Sequence, residues 1–170
     1  MEVLKSESTI QRIHDPSDLS FVPGRFYLWV IHADKVPPHL GISDGHQFFS
    51  LKANGKDEGI PVFKITPVLR KKEIATVFYD IAPNAVVNAP DSIFSRFERT
   101  VPGEITCLEP LKQVFNDSES TWLKELLSRL EARECIRNSY GWQLPEGFSQ
   151  IPDYNPEDIH NRLRKLQDEQ

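Results

Sequence analysis

The sequence predicts one α+β domain over residues 1–150, followed by a linker and docking helix over 151–170. Three observations lead there. Phe26-Tyr-Leu-Trp-Val-Ile31 is a short, bounded run of apolar β-formers, as a buried strand requires. The segments 39–43 and 46–52 flank Asp44-Gly45, a dipeptide suited to the tight hairpin turn that matches sheet twist. Helical periodicity is strongest in the second half, where Trp122, Leu123, Leu126, Leu127 and Leu130 form one apolar stripe.

Taken in order, Ile10, Ile13 and Leu19 are positioned to pack from a short helix or an irregular arm. Pro23-Gly24 turns the chain into the 26–31 strand, and Asp34-Lys-Val-Pro-Pro38 breaks it before the hairpin. Residues 54–59 read as a polar loop and 60–65 as a further extended segment with Pro61 at its edge. Pro67 opens a short helical turn through Arg70, and the β-branched and aromatic run 74–81 is a strand. Asp91 is an N-cap candidate for a helix carrying Ile93, Phe94 and Phe97, ended by Pro102-Gly103. Thr106 and Glu109 have the spacing of a capping box, which predicts a helix from about 106 to 115. Ser120 caps the helix predicted over 121–137, and Gly141, Pro145, Gly147 and Pro152 mark a linker. Asn155-Pro156 opens the last helix, acidic at its start and basic near its end as the helix dipole favours.

Composition limits what the chain does. It has 170 residues and a net charge of −5, which argues against a general nucleic-acid binder because such binding needs a basic face. No apolar run approaches the roughly 18 residues of a membrane span, and the N-terminus carries no apolar signal core. A cytoplasmic protein with two free thiols, Cys107 and Cys135, is the expectation. Cys135 and the three tryptophans are read as packing residues. His32, His39 and His46 recur every seven residues but match no standard zinc spacing, so neither a metal nor a cofactor is expected.

Two residues carry candidate chemistry. If Cys107 lies in the first turn of a helix, unpaired N–H groups and the dipole stabilise its thiolate, the form that acts as a nucleophile. His39 opens a strand behind the stiff Pro37-Pro38, a suitable mount for a general base, and Gly41 permits close approach of a backbone or substrate. The competing readings are a cysteine packed as a small hydrophobe and a loop histidine without a role.

The order of these motifs resembles a known group. Pro23-Gly24 before a strand, His39-Leu-Gly-Ile42 on the next, Asp44-Gly45 and an aromatic strand, the 59–81 connection, then Cys107 at a helix start are similar to the circularly permuted NlpC/P60 hydrolases. These papain-like proteins include the lecithin–retinol-acyltransferase-like members. The resemblance covers residues 23 to about 115. It implies a papain-like fold, a small antiparallel sheet packed against helices with the histidine strand before the cysteine helix. It implies Cys107 as nucleophile and His39 as base, with Gln47 or Ser50 as a third polar residue. The activity implied is that of a cysteine hydrolase or acyltransferase. Its substrate is an amide, ester or thioester in a peptide, isopeptide or acyl conjugate. The alternative is a non-catalytic interaction module that holds a protein partner through the C-terminal helix or the Phe48-Phe49 hairpin.

Overall fold

A computed structural model describes residues 9–168 and is α+β. Its seven strands form one mixed sheet. They are β1 (Gln11–Ile13), β2 (Phe26–Ile31), β3 (His39–Asp44), β4 (Gln47–Lys52), β5 (Gly55–Pro61), β6 (Thr76–Ile81) and β7 (Ile136–Trp142). The spatial order is β1-β7-β6-β2-β3-β4-β5, and every pair is antiparallel except β1 with β7. Five helices accompany it: α1 (Val62–Lys71), α2 (Pro90–Phe94), α3 (Leu108–Val114), α4 (Leu123–Ala132) and α5 (Pro156–Asp168).

The sheet is larger than the small antiparallel one expected, because three segments join it that sequence pattern assigns elsewhere. Residues 55–61 form the edge strand β5 instead of a polar loop. Their polarity suits an edge, where one side of the backbone faces water. Residues 136–142 form β7 instead of a helix end and linker. Gly141 belongs there because a Cβ would strike Leu144 and Ile10, whose side chains cross over it. The arm at 11–13 is a strand paired to β7.

Strand alternation sends side chains to two cores. On one face Tyr27, Trp29, Ile31, Phe48 and Phe78 pack under α1. On the other Leu28, Val30, Leu40, Ile42 and Phe49 meet residues of α2, α3, α4 and α5. The segment 62–65 is helical, not extended, because Val62, Thr66 and Leu69 form a buried stripe that outweighs Pro67 inside α1. Asp80, 1 % exposed, is clamped by Arg25 at 2.8 Å and Arg137 at 3.0 Å, which ties β6 to β7 and to the entry of β2. No helix among the described residues is long and apolar enough to cross a membrane.

Candidate functional site

The hairpin fixes His39. β3 and β4 pair from Gly41↔Ser50 to Asp44↔Gln47, so the two central turn residues are Gly45 and His46, one position later than the Asp44-Gly45 reading. Gly45 has φ +55° and His46 does not share that region, the pattern of a turn with glycine first. The close approach at Gly41 is made by Phe48, whose ring lies 2.5 Å from where a Cβ would stand.

β3 begins at His39, opposite Ile31 of β2. Directly paired residues share a face, so the His39 ring leaves on the α1 side with Ile31. Ser50, Lys52 and Asp57 lie on the same side. Ser50 donates to Asp57 at 2.9 Å, and the Lys52 ammonium stands 3.3 Å from the same carboxylate. Burial pushes the His39 imidazole down to about 4, against the pull of Asp57 and with the help of Lys52 and His32. The ring is therefore neutral at neutral pH.

Cys107 reaches the same strand from the opposite side. It precedes α3 as its N-cap residue and packs with the core under α2, α3, α4 and α5. The capping box is not formed: the Thr106 hydroxyl accepts from the Leu108 N–H at 3.2 Å. Burial pushes the Cys107 thiol up to about 11, although N–H groups of Leu40 and of Cys107 itself favour the thiolate. This shift is opposite to the thiolate stabilisation expected at a helix start. Tyr154 stands beside the sulfur, and its own hydroxyl accepts from the Leu123 N–H at 3.2 Å. Among the described residues no hydrogen bond joins Cys107 to His39.

Both residues nevertheless line one open groove of about 1000 Å³. It runs across the end of the sheet where β3 begins and β4 stops. One wall is α1, with Ile65, Val68 and Leu69; the other is α5, with Ile159, Leu163 and Leu166. Val36, Pro37 and Pro38 form a lip between them. The lining is mainly apolar, and Val36 and Val68 are each about half exposed. Its charged members are Lys35, Lys52, Arg162 and Lys165 against a single carboxylate, Asp57. Thr100, 1 % exposed, belongs to the lining, and its hydroxyl is buried without a hydrogen-bond partner among the described residues.

The remaining candidates lie apart from this chemistry. Gln47 is exposed at the hairpin turn and Ser50 is committed to Asp57. Cys135 is buried between α4 and β7, its thiol 3.4 Å from the Arg133 carbonyl. His32 is exposed at the end of β2, and no group of three or more His, Cys, Asp or Glu residues suited to a metal occurs among the described residues. Sequence reasoning missed the basic rim, because its four cations come from a loop, a strand end and a helix. Comparison of the chain with protein-family models, curated proteins and solved structures gives no match.

Proposed function

We propose that the protein is a non-catalytic binding module whose working surface is the groove between α1 and α5. The observation that carries this reading is the state of its two candidate catalytic groups. A nucleophilic cysteine needs a low thiol pKa and a base within hydrogen-bonding reach. Here burial moves the thiol up to about 11 and the imidazole down to about 4, and the two belong to opposite faces of the sheet, Cys107 to the α2–α5 side and His39 to the α1 side. What remains is a mainly apolar, solvent-open groove with a few polar anchors, the usual make-up of a ligand-binding site.

A second reading keeps Cys107 as nucleophile and His39 as base, in a papain-like domain of permuted order that cleaves an amide, ester or thioester. It is favoured by the presence of both side chains in one groove. Alkylation of Cys107 as a function of pH separates the two, with Cys135→Ala removing the other thiol. The binding reading expects slow alkylation at pH 7, rising only above about pH 10, and no change on His39→Gln. A thiol that alkylates rapidly at pH 7, and that slows when His39 is replaced, overturns it in favour of the hydrolase.

A further inference from the structure

We infer that the groove takes an acidic, apolar peptide segment of a protein partner. This rests on the binding-module reading and deepens it by assigning the occupant. The chain is −5 overall, yet the groove is lined by four cations and one carboxylate. Lys52 is paired with Asp57 and Lys35 stands 4.0 Å from Asp34, while no ion pair among the described residues engages Arg162 or Lys165. A positive groove on a negative protein repels most of the protein's own surface and attracts carboxylates.

The distribution of those charges favours a peptide over a small anion. Lys35 lies in the loop after β2, Lys52 at the end of β4, and Arg162 and Lys165 on α5. They stand around an open groove of about 1000 Å³, more room than one anionic headgroup fills. A segment with several spaced carboxylates meets them, while its apolar side chains enter between α1 and α5. Groove binding by amphipathic segments works this way, with apolar anchors inside and charges at the rim. The half-exposed Val36 at the lip and Val68 on the α1 wall are apolar surface that such anchors cover.

The test uses the full chain and fluorescein-labelled peptides of about twelve residues, read by anisotropy. One has Leu at positions i, i+3, i+4 and i+7 with Glu between. The second has Lys in place of Glu, and the third has Ser in place of Leu. The acidic apolar peptide is expected to bind, the other two at least tenfold more weakly, and its affinity is expected to fall as salt rises to about 0.5 M. Arg162→Glu with Lys165→Glu is expected to weaken it at least tenfold, and Arg96→Glu, outside the groove, to leave it unchanged. Equal binding of the basic peptide, or no effect of the double charge reversal, overturns the acidic assignment. If no peptide binds but sodium dodecanoate does, and Val68→Asn weakens it, the peptide is overturned while the binding groove stands. If neither peptides nor dodecanoate bind, both readings fall.

Discussion

His39 makes the stability of the fold depend on pH in a direction set by its burial. Its value of about 4 in the folded protein lies below the ordinary 6.5. Between the two, the unfolded chain takes up a proton that the native ring refuses. The contribution is therefore complete above pH 6.5 and is lost as the pH falls toward 4. The full difference corresponds to at most about 3 kcal/mol, and solvent at the partly exposed ring reduces it. Urea unfolding of the wild type and of His39→Gln at pH 7 and at about pH 4.5 isolates this part, because other groups titrate in both proteins. The wild type should lose more stability by roughly 1–3 kcal/mol; equal losses would show that the ring protonates freely in the native state. Cys107 illustrates the limit of reading such residues from sequence. Its residue type is visible there, but its high pKa comes from burial beside Tyr154, 47 positions away, and no local pattern encodes that.

At the scale of elements, the β3–β4 hairpin depends on a glycine that its neighbour requires. Gly41 pairs with Ser50, and Phe48 folds over it from the same hairpin. A Cβ would stand 2.5 Å from the ring and 2.9 Å from the Phe49 carbonyl oxygen. Gly41→Ala should cost about 1–3 kcal/mol. In a Phe48→Leu background the cost should shrink, because the ring is gone while the carbonyl remains. A double-mutant cycle on urea midpoints measures that coupling; strict additivity would mean the ring moves aside freely. The first two hairpin strands are legible because alternation and an Asp-Gly signal coincide there. Helix ends are less so. α1, α3 and α4 each stop at a residue in the left-handed region, Glu73, Asn116 and Glu134. Paired backbone bonds close each end: Ile74 to Leu69, Asp117 to Lys112 and Cys135 to Leu130. Glycine normally marks this stop. With glutamate in two of the three, composition gives no warning, and the helix expected over 121–137 overruns the true end of α4 by five residues.

For the whole molecule, the decisive element is the one that sequence pattern sets outside the domain. α5 shows its apolar face plainly, but whether that face meets the body or another protein is a tertiary fact. Ile159, Leu163 and the preceding Tyr154 are 5 %, 8 % and 7 % exposed and belong to the core that α2, α3 and α4 also fill. The Gly103 N–H donates to His160 Nδ1 at 2.7 Å, fastening the helix to the segment that leads into Cys107. Burying three such side chains is worth about 1.5–3 kcal/mol each, a sum comparable to the whole stability of a domain of this size. A chain truncated after residue 150 should therefore unfold at a much lower urea midpoint, or fail to fold. Ile159→Ala and Leu163→Ala should each cost about 2–4 kcal/mol in the full chain. A truncated chain with an unchanged midpoint would make α5 an appended arm. The expected loss would instead make it structural, so the groove exists only because the C-terminal helix is docked, and the basic rim it supplies is carried by the core of the fold.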